Sequence, residues 1–410
     1  MGAYKDFHRR SIERKEEFWA EQAQLVDWQR PFDQVLDYSR PPFARWFVGG
    51  LTNLCHNAVD RHLAARGGQP ALIYVSTEVN RQEIHTFRDL HTEVNRVAAM
   101  LKSLGVIQGD RVLIYMPTIP EAIFAMLATV RIGAIHSVVF GGFASASLAA
   151  RIDDAQPKVL ITADAGMRMG KAIFYKSLVD EAIGLSKSPP ERVVVLDRGI
   201  DKSMLRSPGR DLDYAELRAR YLDAQVPVTW VESNEPSYIL YTSGTTGRAK
   251  GVQRDTGGHA VGLAASMKYV YDARPGETYW ATSDIGWVVG HSYIVYGPLI
   301  TGMASVVYEG VPIRPDPGIW WKIVQDHKVT VMFSSPTAIR VLKKEDPAYL
   351  RKYDVQSLRY LFLAGEPLDE STHRWIAGAL GRPVIDHYWQ TETGWPILAG
   401  MPGIEKTPVK

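Results

Sequence analysis

Hydroxyl residues and glycines alternate in one stretch of the chain, residues 238–251, which reads YILYTSGTTGRAKG. Its first four residues are apolar and β-prone, so they predict a buried strand that breaks into a loop. Glycines let backbone N–H groups approach an anion closely, hydroxyls add donors, and lysine suits phosphate charge. A solvated turn has a similar composition, but the order of the residues favours a phosphate-binding loop. That loop comprises Thr242, Ser243, Gly244, Thr245, Thr246, Gly247, Arg248 and Lys250.

The loop is not the P-loop of nucleotide hydrolases, because neither Gly247 nor Gly251 is followed by the Lys-Ser/Thr pair of that pattern. Residues 241–252, YTSGTTGRAKGV, instead resemble the signature loop of the adenylate-forming enzymes, which include acyl-CoA synthetases, adenylation domains and luciferases. Residues 252–263, VQRDTGGHAVGL, are most similar to the propionyl-CoA synthetases in the acetyl-CoA synthetase-like branch. The resemblance covers essentially the whole chain.

The resemblance implies a ligase that uses ATP to activate a short-chain carboxylate, propionate in preference to acetate. The carboxylate would pass through an acyl-AMP to an acyl-CoA, so the expected cofactors are ATP, Mg²⁺ and coenzyme A. Lys250, Thr391 and the loop hydroxyls would stabilise phosphate charge during the reaction. An acetyl-CoA synthetase is the alternative ligase.

The acyl pocket implied by the resemblance begins in residues 284–291, DIGWVVGH. Taken alone, this block is typical of a core turn. In the family the matching block lines the acyl pocket, which assigns Val288 and Val289 to it. Ala364 stands where acetyl-specific relatives have the larger valine, and Trp389 would close the end of the pocket.

Two further blocks follow predicted strands, at the edge where ligands of α/β sheets bind. They read AGEP over residues 364–367 and DHYWQTETG over residues 386–394. The resemblance implies that Thr391 touches the α-phosphate and that Glu392 binds magnesium. From the residues alone, Glu392 could equally be a salt-bridged surface residue. The implied nucleotide contacts are Gly365, Glu366, Pro367, Asp386, His387, Tyr388, Trp389, Gln390 and Thr391.

A coenzyme A site is implied upstream, where glycines and cations occur together. Cations suit the phosphates of coenzyme A, and glycines let its adenine approach the backbone. A solvated basic turn is the alternative. Lys171 replaces the arginine usual in acetyl-CoA synthetases, which keeps the charge but loses the bidentate fork. The implied contacts are Gly141, Gly142, Phe143, Arg168 and Lys171.

Composition limits the other classes of function. The net charge of +2 in 410 residues predicts no general affinity for nucleic acid or anionic membranes. The single cysteine, Cys55, predicts a reducing, cytoplasmic setting and a buried, unbridged thiol. Residues 132–150 and 288–308 are long and uncharged, but their glycines, serines and Pro298 predict buried strands and turns rather than membrane spans. The sequence leaves the oligomeric state open.

Strands alternate with helices along most of the chain, which predicts an α/β fold with mostly parallel sheets covered by helices on both faces. A helix is expected over residues 6–28, a break over 41–50 and a helix over 51–65. We expect an N-terminal helical extension (1–50), a first α/β unit (51–230), and a second α/β unit (231–410) with the ATP and acyl sites.

The family resemblance also implies a further segment. Members continue with a ribose-binding aspartate, a hinge and a small C-terminal domain whose lysine drives adenylation. We expect the 410 residues to represent the N-terminal core of such an enzyme, inactive by itself. The alternative is a nucleotide- or acyl-binding module that turns nothing over.

Overall fold

The protein is described by a computed structural model that covers residues 2–242 and 249–406. The strands in those residues are, in chain order, β1 (Gln34–Arg40), β2 (Phe43–Val48), β3 (Leu51–Thr52), β4 (Pro70–Ser76), β5 (Arg81–Thr86), β6 (Arg111–Tyr115), β7 (Ile135–Val138), β8 (Val159–Ala163), β9 (Gly166–Arg168), β10 (Lys171–Ile173), β11 (Arg192–Leu196), β12 (Asp211–Asp213), β13 (Val231–Glu232), β14 (Pro236–Thr242), β15 (Lys250–Asp255), β16 (Thr278–Ala281), β17 (Ala304–Glu309), β18 (Val329–Ser334), β19 (Tyr360–Leu363) and β20 (Val384–Asp386).

The helices separate most of these strands. They are α1 (Ala3–Glu13), α2 (Lys15–Gln22), α3 (Leu54–Ala58), α4 (Leu63–Arg66), α5 (Phe87–Ser103), α6 (Pro120–Arg131), α7 (Ser145–Ala155), α8 (Tyr175–Leu185), α9 (Tyr214–Ala219), α10 (Gly257–Tyr269), α11 (Val288–Gly290), α12 (Gly297–Thr301), α13 (Ile319–His327), α14 (Pro336–Lys343), α15 (Ala348–Arg351) and α16 (Glu370–Leu380). A π-helical segment, His291–Tyr296, joins α11 to α12.

Two seven-stranded sheets form the framework. The first has the order β12-β11-β8-β6-β7-β14-β15 and the second β20-β19-β18-β16-β17-β4-β5. Within each sheet six strands are parallel, and the last strand of each order, β15 or β5, pairs antiparallel with its neighbour. The prediction of an α/β fold with two mostly parallel sheets is confirmed.

Each sheet takes one antiparallel hairpin from the other half of the chain. The β14–β15 hairpin completes the first sheet, and the β4–β5 hairpin completes the second. Leu72 of β4, for example, pairs with Ser305 of β17. The division into units at residue 230 therefore stays a prediction, and the two sheets do not follow that boundary.

The hydrophobic cores follow from strands that are apolar on both sides. In β8, Val159 and Ile161 belong to the core between the two sheets, whereas Leu160 packs on the other face against α7 and α8. Burial on both faces explains why these parallel strands read as continuous apolar runs. Cys55 is free and buried in the central core, as expected, and burial raises the pKa of its thiol to about 12.

Three predictions for the N-terminal region are wrong in detail. The helix expected over residues 6–28 is divided into α1 and α2, which ends at Gln22. The break expected over residues 41–50 contains β2, which forms an antiparallel hairpin with the preceding β1, so that Trp46 pairs with Leu36. The helix expected over residues 51–65 is interrupted: Asn53 starts α3 by accepting hydrogen bonds from the N–H groups of Cys55 and His56. Asparagine is a favoured N-cap residue, so it marks a helix start rather than a helix interior.

The stretch from residue 288 to residue 308 also differs from expectation. Its first part is helical through α11, the π-helical segment and α12, and only β17 is a strand. The segment is apolar on all sides, and periodicity cannot separate a buried strand from a buried helix in such a sequence. Among the described residues, no helix has the length and apolar character that crossing a membrane requires.

Candidate active site

The strands that flank the predicted phosphate loop form a regular hairpin. Thr242 at the end of β14 pairs with Lys250 at the start of β15, and Lys250 is exposed. The hairpin thus brings the first and last residues of the loop together. The remaining predicted phosphate contacts lie outside the described residues: Ser243, Gly244, Thr245, Thr246 and Gly247, with the neighbouring Arg248.

The two blocks that follow β19 and β20 share one cavity. These strands are parallel neighbours, in which Leu363 pairs with Asp386, so their carboxyl ends meet at the same edge of the sheet. The cavity, called here the AGEP cavity, has a volume of about 600 Å³. Its lining residues are Gly365, Glu366, Pro367, Asp386, His387, Tyr388, Trp389, Leu398 and Ala399. The structure therefore brings together seven residues that the sequence assigned to the nucleotide.

His387 fixes the position of the second block against the first. Its Nδ1 lies 2.7 Å from the carbonyl oxygen of Leu363, so this nitrogen must carry the proton. Its Nε2 then accepts a hydrogen bond of 2.9 Å from the hydroxyl of Tyr271. Burial lowers the pKa of His387 to about 4, which keeps the ring neutral and consistent with this arrangement.

The carboxylate of Glu366 is already engaged within the protein. One oxygen accepts from the Thr337 N–H at 2.7 Å, and the other lies 2.8 Å from Nη1 of Arg340. Arg340 also donates to the carbonyl oxygen of Pro367 at 2.8 Å. The hydrogen bond from the Thr337 hydroxyl is the largest cause of the lowered pKa of Glu366. The Glu366 side chain therefore ties the AGEP loop, residues 364–367, to Thr337 and Arg340 on α14.

Thr391 and Glu392, the predicted contacts of the α-phosphate and of magnesium, lie in a tight turn. Thr391 is half-buried, whereas Gln390 and Glu392 are exposed. The side-chain amide of Gln390 donates to the Tyr388 hydroxyl at 2.7 Å. We call residues 391–394 the TETG loop.

Glu392 is the residue that would hold magnesium. Magnesium in nucleotide sites is held by one or two carboxylates together with substrate phosphates. The exposed carboxylate of Glu392 is compatible with that mode of binding. Within residues 2–242 and 249–406, no group of three or more histidine, cysteine or acidic side chains could form a site from protein alone.

The predicted acyl-pocket residues all belong to or pack against the central core, and Trp389 contacts two of its aromatic side chains. The Trp389 ring lies 5.4 Å from Tyr293 and 6.0 Å from Phe333, measured between ring centroids. Tyr293 lies in the helical segment that begins with Val288 and Val289, which are half-buried against the central core. The other predicted member, Ala364, is 5% exposed and follows β19 directly. Trp389 thus stands between the AGEP cavity and this apolar region.

A second cavity of about 360 Å³ contains three of the predicted coenzyme A contacts, Gly141, Gly142 and Arg168. We call it the Trp287 cavity. Phe143 does not line this cavity, but its ring centroid lies 6.0 Å from that of Trp287, which does. Lys171 is not in the lining, but it pairs with Arg168 across the β9–β10 hairpin. Directly opposed residues project to the same face of a hairpin, so Lys171 lies on the same side as Arg168, which lines the cavity.

Two residues of this region were not among the predicted contacts: one lines the Trp287 cavity, and the other contacts the β9–β10 hairpin. Trp287 itself is 44% exposed and its ring centroid lies 5.0 Å from that of Phe140. Arg314 donates to the carbonyl oxygen of Met169 at the tip of the β9–β10 hairpin, at 2.8 Å. Trp287 belongs to the DIGWVVGH block, residues 284–291, but the sequence does not indicate that its side chain is exposed. The arginine comes from a distant loop and had no local signal.

Comparison with known proteins identifies the family. A family model described as AMP-binding enzyme matches residues 59–409, and one described as acetyl-coenzyme A synthetase N-terminus matches residues 4–58. The chain belongs to the AMP-binding enzyme family. The resemblance to adenylate-forming enzymes of the acetyl-CoA synthetase-like branch is thereby confirmed.

Curated relatives of this AMP-binding enzyme cover the whole of its chain. The propionate–CoA ligase of Escherichia coli is 58% identical over 408 residues, which are 100% of this chain and 65% of that protein. The propionate–CoA ligase of Salmonella typhimurium is 59% identical over 406 residues, 99% of this chain and 64% of that protein. Human mitochondrial acyl-CoA synthetase short-chain family member 3 is 44% identical over 412 residues, 99% of this chain and 60% of that protein. The chain spans less than two thirds of the length of these relatives.

Proposed function

We propose that this AMP-binding enzyme carries the nucleotide and acyl sites of a ligase that converts propionate, ATP and coenzyme A into propionyl-CoA, AMP and pyrophosphate. The observation that supports it most is the AGEP cavity, which gathers residues from both predicted nucleotide blocks. The two bacterial relatives are named propionate–CoA ligases. Acetate is the competing substrate, and cytoplasmic propionate metabolism is the proposed setting.

The first step proposed is formation of propionyl-AMP. A carboxylate oxygen of propionate attacks the α-phosphorus of ATP, and the bond from that phosphorus to the bridging oxygen breaks, releasing pyrophosphate. The adenine would lie in the AGEP cavity, with Thr391 near the α-phosphate and Lys250 near the leaving phosphates. Magnesium, held by Glu392, would supply charge neutralisation on the phosphates. The protein lowers the barrier by positioning and by fixed positive charge.

The second step proposed is transfer to coenzyme A. The thiol sulfur attacks the carbonyl carbon of propionyl-AMP, AMP leaves with the electrons of the acyl–oxygen bond, and the thiol proton is lost. Coenzyme A would enter at the Trp287 cavity, where Arg168 and Lys171 face its phosphates. Val288, Val289, Ala364 and Trp389 would enclose the propionyl group.

The nucleotide proposal can be tested by binding to the purified chain. We expect propyl-AMP, an ester that mimics propionyl-AMP without a reactive carbonyl, to bind more tightly than AMP and to compete with MgATP. Calorimetric titration measures both affinities, and ethyl-AMP measures the preference for the longer chain. Equal affinities for AMP and propyl-AMP would contradict a propionyl pocket continuous with the nucleotide site.

Turnover assays test whether the 410 residues act as a ligase by themselves. Propionate-dependent exchange of labelled pyrophosphate into ATP reports the first step, and thioester formation from propionyl-AMP and coenzyme A reports the second. Activity in either assay supports a ligase and contradicts the expectation that this core is inactive by itself. Binding of propyl-AMP without activity in either assay is the result expected for such a core, and it is also the result expected for a binding module.

A further inference from the structure

One arginine outside the predicted site holds the TETG loop by its backbone. Arg254 lies on β15 and is half-buried. Its Nη2 donates to the carbonyl oxygens of Thr391 at 2.7 Å and Glu392 at 3.1 Å. Its Nη1 donates to the carbonyl oxygen of Thr393 at 3.3 Å. A single guanidinium thus spans three consecutive peptide groups of the loop.

The loop is shaped to accept this guanidinium closely. Gly394 has a positive φ of 75°, a conformation that favours glycine. A Cβ atom added there would lie 2.9 Å from Cζ of Arg254, so a side chain would displace the guanidinium. From the other side, the buried hydroxyl of Ser292 donates to the carbonyl oxygen of Gly394 at 2.6 Å. Arg254 and Ser292 together fix the ends of the turn.

The strand that carries Arg254 also carries a predicted phosphate contact. Lys250 and Arg254 lie four positions apart on β15. Side chains at every second position of a strand project from the same face, so these two share a face. At the usual rise per residue the two positions lie about 13 Å apart. One rigid strand therefore links the end of the phosphate loop to the loop that bears Thr391 and Glu392.

The charge of Arg254 is directed at the loop rather than at an acid. In the part of the chain that the structure describes, all three hydrogen bonds of its guanidinium go to carbonyl oxygens. Arginine suits this task because its planar fork carries several donors in fixed directions, whereas lysine presents one compact ammonium. The positive charge therefore lies against the backbone of the loop that follows Tyr388 and Trp389, two lining residues of the AGEP cavity.

From these contacts we propose that Arg254 is a positioning residue for MgATP: it holds the TETG loop so that Glu392 and Thr391 face the bound phosphates. This inference rests on the proposed function, which makes the loop a nucleotide contact. It assigns a role to a residue that touches neither nucleotide nor metal. Ser292 supports the same loop from inside the core.

The test compares Arg254→Gln and Arg254→Lys with the unaltered chain. Arg111→Gln is the matched control, because Arg111 also lies on a strand and donates to three backbone carbonyls, those of Gly109, Ala155 and Gln156. Two quantities are measured: amide hydrogen exchange of residues 391–394 without ligand, and MgATP affinity over a range of Mg²⁺ concentrations. AMP affinity measures the adenine site separately.

We expect Arg254→Gln to raise exchange in the loop at least tenfold, to weaken MgATP binding about tenfold to a hundredfold and to raise the Mg²⁺ concentration for half-saturation. AMP affinity should fall less than MgATP affinity, because AMP keeps the adenine and the α-phosphate proposed to lie near Thr391 but lacks the phosphates that Mg²⁺ would bind. Arg254→Lys should fall between Arg254→Gln and the unaltered chain, and Arg111→Gln should leave all of these quantities unchanged. If Arg254→Gln folds poorly, Ser292→Ala supplies a milder loss of loop restraint with changes in the same direction.

Unchanged exchange in the loop of Arg254→Gln would overturn the inference. Raised exchange with unchanged MgATP affinity and Mg²⁺ dependence would overturn it as well, because the loop would then be held for another purpose. Failure of the proposed function has a different result: the unaltered chain would bind neither MgATP nor AMP. In that case the positioning of nucleotide by Arg254 is overturned together with the function, whatever the exchange shows.

Discussion

The hydroxyl oxygen of Tyr271 lies 2.9 Å from Nε2 of His387, and both side chains are buried. The Tyr271 hydroxyl donates this hydrogen bond to Nε2 of His387, while Nδ1 of His387 donates to the carbonyl oxygen of Leu363 on β19. Tyr271→Phe leaves a buried acceptor without a donor and should lower the free energy of unfolding by about 1 to 3 kcal/mol. AMP affinity should also fall, because His387 lines the AGEP cavity. Tyr38→Phe, at an exposed tyrosine, is the control; equal urea midpoints for the two variants would contradict this account.

Buried histidines predict a loss of stability in mild acid. Burial lowers the pKa values of His62, His291 and His387 to about 4 each, from the ordinary histidine value of 6.5. Between those values the unfolded chain binds more protons than the folded chain. Stability is therefore complete above about pH 6.5 and falls as the pH approaches 4, by up to about 1.4 kcal/mol per pH unit for each histidine.

Urea titrations at several pH values between 7.5 and 4.5 measure this slope. His387→Gln should reduce it by the share of one histidine, and His8→Gln, at an exposed position, should not. An identical pH dependence in His387→Gln and the unaltered chain would show that His387 is not among the groups responsible.

A buried ion pair joins the two sheets. Arg198 follows β11, and its guanidinium lies 2.8 Å from each carboxylate oxygen of Glu309, at the end of β17. The side chains are only 7% and 5% exposed. Glu309→Gln leaves the guanidinium buried without its counter-charge and should cost about 3 to 5 kcal/mol.

The control for Glu309→Gln is Glu370→Gln. Glu370 pairs with Arg374 at 2.5 Å, but both side chains are 75% exposed. Its loss should change stability by less than about 0.5 kcal/mol. Thermal or urea unfolding that gives equal losses for the two variants would argue against a structural role for the buried pair.

Glu392→Gln preserves the size of the side chain and removes the charge proposed to hold magnesium. We expect MgATP binding to lose its dependence on Mg²⁺ concentration, while AMP affinity and the unfolding transition stay unchanged. Calorimetry at low and high Mg²⁺ measures the first quantity. Glu370→Gln serves again as the control, and a normal Mg²⁺ response in Glu392→Gln would remove Glu392 from the metal site.

Ala364→Val fills the proposed acyl pocket with two further methyl groups. The preference for propyl-AMP over ethyl-AMP should fall by about 1 to 3 kcal/mol, the usual worth of one methylene in an apolar pocket. Ala377→Val, on α16, is the control because that residue packs in the separate core behind the second sheet. An unchanged preference would exclude Ala364 from contact with the acyl chain.

Local patterns predicted much of the framework and the candidate site. The apolar pattern of the sequence predicts a strand over residues 360–363 and a helix over residues 120–131, and these are the bounds of β19 and α6 in the structure. The AGEP and DHYW blocks meet because parallel neighbouring strands end at one edge, which follows from the strand pattern. The resemblance supplied the role of each residue within those blocks.

Contacts between distant segments could not be predicted in the same way. Glu366 remains a predicted nucleotide contact, but the binding of its carboxylate by Thr337 and Arg340 on α14 was not predicted. Arg254 belongs to a block that carries the family resemblance, but no contact was predicted for it. The hydrogen-bond partners of its guanidinium lie more than one hundred residues further along the chain. Such pairings depend on how the sheets are assembled, and no periodicity or turn signal encodes them.

The exchange of hairpins between the sheets sets an order of events during synthesis. β4 emerges early, but its parallel partner β17 begins only at Ala304. At the usual rate of translation, β4 waits on the order of 10 to 50 s for that partner. Throughout that interval an apolar strand edge has no completed sheet to join. The unpaired edge of β4 is therefore exposed to aggregation for longer than in a chain whose sheets form one after the other. Chaperones that cover apolar surface would have to protect it for that time.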